Sequence, residues 1–261
     1  MNKNHQFNDL LDLIDTVYAA ALDEGRWRSL APAIAETFGS TSTNLQIQEV
    51  GASSQILSVT DNVKARIEDY RAHYWERDIW VERAVQRVGM SRVGSSKDFV
   101  SDSEFQETEF YRDWCRHLDV FYVVGAVFPT GPNQLGVLGI HRPRSAGTYE
   151  EHDEYLVSRF LPHLQRALRV RDQLAQAAIR EHVSLAALDR SETATLLVTA
   201  DSRIIYANPQ ADVLLTVGTV IRSRNGCLAA TSKNDAERLS ALIRQTSGGT
   251  QADTTDGIMS L

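Results

Sequence analysis

FYVVGAVFPTGPNQLGVLGI, residues 121–140, holds two strongly apolar runs that are separated by a short polar segment. The runs, 121–128 and 135–140, are rich in the β-branched and aromatic residues that favour strands. Between them stand Thr130, Gly131, Pro132 and Asn133, which are typical of a turn. The stretch therefore predicts a β-hairpin, and it is the strongest hairpin signal in the chain.

A long helix is predicted after this hairpin. Thr148 and Glu151 have the spacing of a capping box, in which two side chains satisfy free backbone N–H groups at a helix start. Apolar residues then recur with helical spacing from Tyr155 to Leu188. Pro162 is a candidate kink within the helix, because proline cannot donate the backbone hydrogen bond.

Before the hairpin, the pattern alternates between helices and strands. Apolar spacing of three and four predicts amphipathic helices over 7–21 and 27–38. Leu45 and Ile47 then alternate with polar neighbours, as in a half-buried strand, and 55–60 is a suitable partner strand. A helix capped by Asp61 is predicted, with its pattern continuing past Asp78 to Val85, and another is predicted from Ser101 to Leu118. Strands covered by helices and followed by a long helix predict an α+β, GAF/PAS-like sensor domain over residues 1–170, with an antiparallel sheet.

A second unit follows a connecting signalling helix at 171–190. LLVTADSRIIYANPQADVLL, residues 196–215, has the order strand, turn, strand, Asn and helix, which resembles the opening of a PAS domain. Two more strands near 220–222 and 227–229 and a helix over 234–245 complete the pattern, and GIMSL at 257–261 is similar to the start of another strand. We therefore predict a partial PAS-like domain over 191–261.

Composition and charge narrow the class of protein. With 43% hydrophobic and 23% charged residues, 261 residues suffice for one large or two small globular domains. The formal net charge of -7 argues against a chain that itself grips nucleic-acid phosphates. No signal peptide or transmembrane segment is apparent, and the distant pair Cys115 and Cys227 suits a reducing compartment. We expect a cytoplasmic protein with no membrane partner.

Five stretches, at 10–27, 70–84, 110–128, 135–168 and 196–215, together resemble LuxR-type bacterial transcriptional regulators that carry a sensor, a PAS-like module and a C-terminal helix-turn-helix. The resemblance implies a non-enzymatic homodimer that binds a small organic ligand and controls transcription. It also implies that DNA is contacted only through a helix-turn-helix, which is expected outside these residues.

The segment HYWERDIWVERA, residues 73–84, resembles the Tyr-x-x-x-Asp-Pro-x-Val segment of acyl-homoserine-lactone receptors, although Ile79 stands in the place of the proline. In that family the aspartate bonds the ligand amide, and nearby aromatic residues line the pocket. The resemblance makes Asp78 the polar anchor, with Tyr70, Tyr74 and Trp75 or Trp80 as candidate pocket walls. Tyr111 and Trp114 are further candidates because they are aromatic residues on a predicted helix.

The same residues have a second interpretation that the sequence leaves open. Aromatic side chains on helices that face a sheet are commonly core residues, and Asp78 has a suitable position to cap a helix through the N–H groups of Trp80 and Val81. Ligand pockets are also mostly apolar with a few polar groups, so the composition fits either a pocket or a core.

No catalytic residue, metal site or cofactor is predicted. The seven histidines lack metal-ligand spacing, and Gly136 and Gly139 lie inside a predicted strand rather than in a phosphate-binding loop. Two alternatives to the regulator remain. One is the sensor region of a histidine kinase, with His163 or His182 as the phosphoacceptor, and the other is a short form that inhibits full-length regulators by heterodimerisation.

The long helix is also the candidate dimerisation element. Its apolar stripe exceeds what one domain is expected to cover, and exposed apolar stripes mark partner surfaces. The predicted dimer residues are Leu161, Leu164, Leu168, Leu174, Ile179 and Leu185.

Overall fold

The computed structural model of the chain describes residues 3–49 and 53–247. The chain forms two compact units, Met1–Ala175 and Gln176–Leu261, and each is described by itself. The boundary between the units falls inside one long helix.

The strands of the first unit are β1 (Ser42–Glu49), β2 (Ser53–Val59), β3 (Val93–Ser95), β4 (Tyr122–Gly131) and β5 (Gln134–Arg142). They form one antiparallel sheet in the order β2-β1-β5-β4-β3. The hairpin predicted over residues 121–140 is confirmed as β4 and β5, which are both inner strands. In its turn Asn133 has a φ of 58°, a left-handed conformation that asparagine tolerates well.

The α-helices of the first unit, with the long helix that leaves it, are α1 (Lys3–Leu22), α2 (Leu30–Thr37), α3 (Asp61–Lys64), α4 (Ile67–Ala72), α5 (Ile79–Arg83), α6 (Ser96–Phe99), α7 (Asp102–Glu107) and α8 (Glu151–Asp189). Short 3-10 or π-helical segments lie at Glu24–Ser29, Tyr74–Glu76, Ala84–Val88, Phe110–Trp114, Cys115–Leu118 and Arg144–Ala146. The helical pattern predicted from Asp61 to Val85 is divided among α3, α4 and α5, and the N-cap of α3 is Thr60 rather than Asp61. The helix predicted from Ser101 to Leu118 is likewise divided, into α7 and two short turns.

Two separate apolar clusters cover the two faces of the sheet. Side chains of β1, β4 and β5 such as Leu45, Val124 and Leu138 pack with α1, α2 and the first part of α8. On the other face, Val123, Val127 and Val137 pack with the short helices between β2 and β4. Because strand side chains alternate between faces, neighbouring residues of one strand belong to different clusters.

Strand β1 is buried on both faces, and the prediction of a half-buried strand is wrong. The polar residues at every second position of this strand lie under the short helices rather than in solvent, and they are Ser42, Asn44, Gln46 and Gln48. All four are uncharged, so the free-energy cost of burying them is small where hydrogen bonds are available. The second face of β1 therefore supplies polar groups to the interior.

Helix α8 is continuous from Glu151 to Asp189, as predicted, with Pro162 inside it. Its first part belongs to the core of its own unit, so the assignment of Leu161, Leu164 and Leu168 to a dimer surface is corrected: all three are buried against the sheet. The Arg142 guanidinium anchors this part by donating two hydrogen bonds to the Asp153 carboxylate, at 3.2 and 3.4 Å.

The second unit comprises β6 (Leu196–Val198), β7 (Ile204–Ala207), α9 (Pro209–Val217), β8 (Ile221–Arg224), β9 (Cys227–Ala230) and α10 (Lys233–Ser247). The predicted order of strand, turn, strand, Asn and helix is confirmed. The strands form two antiparallel pairs, β6-β7 and β8-β9. The strand predicted at 257–261 lies outside the described residues.

Asn208 organises the start of this unit. Its Oδ1 accepts hydrogen bonds from the N–H groups of Thr195 and Ala211, so it caps α9. Its Nδ2 donates to the carbonyl oxygens of Leu188, in the last turn of α8, and Thr193. One fully buried amide thus ties the end of the long helix to β6 and α9.

The predicted fold class is confirmed: an α+β chain with an antiparallel sheet covered by helices, a long connecting helix and a smaller α+β piece. Cys115 and Cys227 are both free thiols. No helix within 3–49 and 53–247 is long and apolar enough to cross a membrane.

Candidate functional site

A row of glycines crosses the middle of the sheet on the face that carries the short helices. Gly139 of β5 pairs with Gly125 of β4, which in turn pairs with Gly94 of β3. At the β1 end of the row, Asn44 pairs with Gly139. Because glycine has no side chain, this row lowers the surface of the sheet beneath the helices.

A cavity lies over this row. It offers about 30 Å³ of free space between the sheet and the helical layer. At roughly 10–15 Å³ of such space for one water, it has the size of a few small-molecule atoms. Its lining residues come from three inner strands and from the segments around α5 and α6: Asn44, Asp78, Trp80, Val81, Ala84, Phe99, Val123, Gly125, Ala126, Val127, Val137, Leu138, Gly139 and His141.

Two polar groups of the lining have no hydrogen-bond partner. They are the Oδ1 of Asn44 and the indole Nε1 of Trp80, on residues that are only 6% and 4% exposed. A buried polar group left without a partner costs about 1–3 kcal/mol. One group accepts a hydrogen bond and the other donates one, and both belong to side chains that line the cavity.

Asp78 lines the same cavity and also caps helix α5. Its Oδ1 accepts from the N–H groups of Trp80 and Val81, at 3.0 and 3.3 Å, and its Oδ2 accepts from the Tyr70 hydroxyl at 2.9 Å. The Tyr70 hydroxyl accepts in turn from the Gln46 side chain at 2.8 Å. The cap, the cavity wall and strand β1 are therefore joined by one hydrogen-bonded chain.

The carboxyl group of Asp78 is held in an apolar setting. Although the residue as a whole is partly exposed, desolvation raises the pKa of its carboxyl group to about 6, against the three hydrogen bonds that favour the charged form. Burial also raises the pKa values of the neighbouring Tyr70 hydroxyl and Cys115 thiol. Near neutral pH this corner of the site carries at most the single charge of Asp78.

His141 forms the opposite wall. Its ring stacks on the Trp80 indole, with centroids 5.7 Å apart and planes at 24°, and its Nδ1 lies 3.2 Å from the Ser42 hydroxyl. Burial lowers the pKa of its imidazole to about 4, so the ring is neutral at physiological pH. A Cβ atom at Gly139 would lie 2.7 Å from the His141 Nε2, so this glycine makes room for the imidazole.

The structure separates the predicted ligand residues into two groups. Asp78 and Trp80 line the cavity. The remaining five lie in the aromatic cluster around the cavity: Tyr70, Tyr74, Trp75, Tyr111 and Trp114. Within this cluster Tyr70 packs on Phe110 and on Trp114. Both interpretations of Asp78 hold geometrically, because one carboxylate caps α5 and borders the cavity.

The strand-side half of the site was missed by sequence reasoning. Asn44, Gln46 and His141 lie on strands that pass beneath the helices. The available signal was the alternation of uncharged polar residues along 42–48, since a strand with one face in solvent more often carries charged side chains there.

The described residues form no metal site, and the two candidate phosphoacceptor histidines lie in different environments. Across 3–49 and 53–247, no three His, Cys, Asp or Glu side chains are grouped so that they could hold a metal ion. The Nδ1 of His163, one of the two candidate phosphoacceptors, lies 3.2 Å from the Tyr18 hydroxyl, whereas His182 is exposed on α8.

No protein-family model and no curated protein matches the chain. Among solved structures it is similar to the VqsR ligand-binding domain from Pseudomonas aeruginosa, with a TM-score of 0.47 and 19% identity over 65% of this chain and 96% of that one. It is also similar to CepR2, an N-acylhomoserine-lactone-dependent LuxR-family transcription factor from Burkholderia cenocepacia, with a TM-score of 0.46 and 15% identity over 66% of this chain and 99% of that one. A phycoerythrobilin-bound GAF domain from a cyanobacterial phytochrome gives 0.42 and 12%, over 67% and 98%. Similarities at this level assign no function.

Proposed function

We propose that the chain is the ligand-sensing region of a LuxR-type transcriptional regulator, in which a small molecule occupies the cavity over the glycine row. The proposal rests on two unpartnered buried groups, Asn44 Oδ1 and Trp80 Nε1, whose residues line a cavity that Asp78 and His141 also border. Small-molecule sites combine apolar walls with a few converging polar groups in this way. The sequence resemblance to LuxR-type regulators supports the same assignment.

In this proposal α8 carries the signal. Its first part covers the face of the sheet opposite the cavity, and Asn208 holds its last turn to the strands of the second unit. The helix also forms the homodimer through its exposed apolar residues beyond Val170. Contact with DNA is assigned to a helix-turn-helix outside these residues, and the chain performs no catalysis.

The proposal is tested by thermal-shift screening of small metabolites and N-acyl homoserine lactones against the wild-type chain and Ala84→Val. Ala84 lines the cavity, so two added methyl groups there reduce the free space. Ala35→Val is the matched control, because Ala35 is a buried helical alanine that does not line the cavity. We expect compounds that stabilise wild type and Ala35→Val but not Ala84→Val. If no compound shows this pattern, the ligand-sensing function is wrong.

A further inference from the structure

The polar groups around the cavity define the kind of molecule that it takes. This inference rests on the function proposed above and names its ligand class. Trp80 Nε1 is a donor without an acceptor, and Asn44 Oδ1 is an acceptor without a donor. A ligand that satisfies both must therefore carry an acceptor and an N–H or O–H donor.

The charge of the lining restricts the ligand further. No lysine or arginine lines the cavity, so an anion finds no counter-ion and meets the carboxylate of Asp78. His141 does not supply a positive charge either, because its imidazole is buried and stacked on Trp80. Transfer of an unpaired ion from water into such a site carries a large desolvation cost.

A cation is also poorly accommodated. Asp78 is the one acidic residue of the lining, and its oxygens already accept three hydrogen bonds, from two backbone N–H groups and the Tyr70 hydroxyl. A carboxylate has about four lone-pair positions, so little of its capacity remains for an ammonium group. The attraction of a cation to Asp78 is therefore smaller than the free-energy cost of removing the cation from water.

Size sets the last limit. The free space of about 30 Å³ is far below the roughly 300 Å³ or more of pockets that enclose drug-sized ligands. The floor is fixed, because Gly139 and Gly125 already carry no side chains. The roof is fixed as well, since Trp80 is stacked between Phe105 and His141. A long acyl chain would have to displace this stack.

We infer that the cavity takes a compact, uncharged molecule with one hydrogen-bond donor and one acceptor, such as a small primary amide, which accepts from the indole N–H of Trp80 and donates to the side-chain carbonyl of Asn44. This class excludes carboxylates, ammonium compounds and lactones with long acyl chains.

Four molecules of nearly the same shape test the ligand class. Acetamide is neutral with a donor and an acceptor, acetone has only the acceptor, acetate is the anion and acetamidinium is the cation. Binding is followed by ¹H–¹⁵N NMR on the indole signal of Trp80 and the backbone amides of Gly125 and Gly139, which line the cavity. We expect saturable shifts with acetamide in the millimolar range that suits so small a ligand. Acetone should bind about tenfold more weakly, the equivalent of one lost hydrogen bond, and the two ions should cause no saturable shift.

Variants separate the two polar contacts from general effects on the core. Trp80→Phe and Asn44→Leu should each weaken acetamide binding about tenfold, as read from the glycine amides. Trp27→Phe and Gln48→Leu are the matched controls, because each removes a buried unpartnered polar atom that does not line the cavity. Both should leave acetamide affinity within about twofold.

The results distinguish the ligand class from the proposed function. If acetate or acetamidinium binds as tightly as acetamide, or an N-acyl homoserine lactone shifts the three signals while acetamide does not, the ligand class is overturned and small-molecule sensing stands. If none of these molecules shifts the signals, the ligand class is overturned as well. In that case the outcome of the thermal-shift screen decides separately whether the cavity binds a ligand.

Discussion

Two ionisable residues on opposite walls of the cavity respond to pH in opposite directions. Desolvation raises the pKa of Asp78 to about 6, above its ordinary value of 3.8, so the folded chain binds the proton more tightly than the unfolded chain does. Asp78 therefore increases the free energy of unfolding as the pH falls from about 6 to about 4. Burial lowers the pKa of His141 from 6.5 to about 4, so the unfolded chain binds that proton first. His141 consequently lowers the free energy of unfolding over nearly the same range.

Single variants are expected to expose these opposing contributions. Asp78→Asn should lose free energy of unfolding more steeply than wild type between pH 6 and 4, since His141 is then unopposed. His141→Gln should lose it less steeply. Each change in slope is at most about 1.4 kcal/mol per pH unit, the value for one proton. Urea unfolding at four pH values measures the slopes, and the double variant should return toward the wild-type slope. Equal slopes in all four proteins would contradict the assignment.

Asn208 is the residue on which the start of the second unit most depends. Asn208→Ala removes the cap of α9 and leaves backbone groups of β6 and the end of α8 without partners. We expect a loss of about 2–3 kcal/mol in the free energy of unfolding of this unit. Hydrogen exchange over 196–217 measures it. The exposed Asn234→Ala serves as control with an effect below about 0.5 kcal/mol, and equal effects at both positions would refute the role of Asn208.

At the level of elements, α8 changes its environment along its length. Leu161, Leu164 and Leu168 are buried in the first unit, whereas Ile179 and Val183, four residues apart, are 63% and 62% exposed. An i, i+4 pair of exposed apolar side chains forms a stripe on a helix, and such stripes commonly mark a partner surface. The dimer contact proposed for α8 therefore belongs to its second part.

The assembly prediction follows from this division. We expect Ile179→Glu with Val183→Glu to convert the proposed dimer into a monomer without a large change in stability, because both side chains are exposed in one chain. Leu164→Ala should do the reverse: it lowers the free energy of unfolding by about 2–5 kcal/mol and leaves the assembly intact. Sedimentation velocity at micromolar concentration and urea unfolding measure the two effects. Sedimentation of the wild-type chain as a monomer would contradict the dimer prediction.

Local sequence signals predicted many of the elements but only part of the site. The hairpin at 121–140, helix α8 and the start of α9 after Asn208 each depend on residues close in sequence, and all are confirmed. The cavity depends on Asn44, Gly139 and Gly125 meeting across three strands, so only strand register brings them together. The wrong assignment of Leu161, Leu164 and Leu168 to a dimer surface has a similar cause. Their spacing shows that the helix has an apolar face but does not show which part of the molecule covers it.

For the whole molecule, the charge distribution argues against DNA binding by this chain alone. The formal net charge is -7, and residues 176–261 hold eight lysine and arginine residues against nine aspartate and glutamate residues. Affinity for nucleic-acid phosphates arises chiefly from clustered lysine and arginine. We expect only weak binding without sequence preference in a gel-shift assay at physiological salt. Tight, sequence-selective binding would contradict this prediction.

Hydrogen–deuterium exchange shows whether a small molecule binds over the glycine row. The compound that most stabilises wild type but not Ala84→Val is added to both proteins at saturation. In wild type we predict slower exchange in the segments that border the cavity, 78–84, 123–127 and 137–141, and no such change in Ala84→Val. Protection confined to other segments, or equal protection in both proteins, would contradict binding over the glycine row.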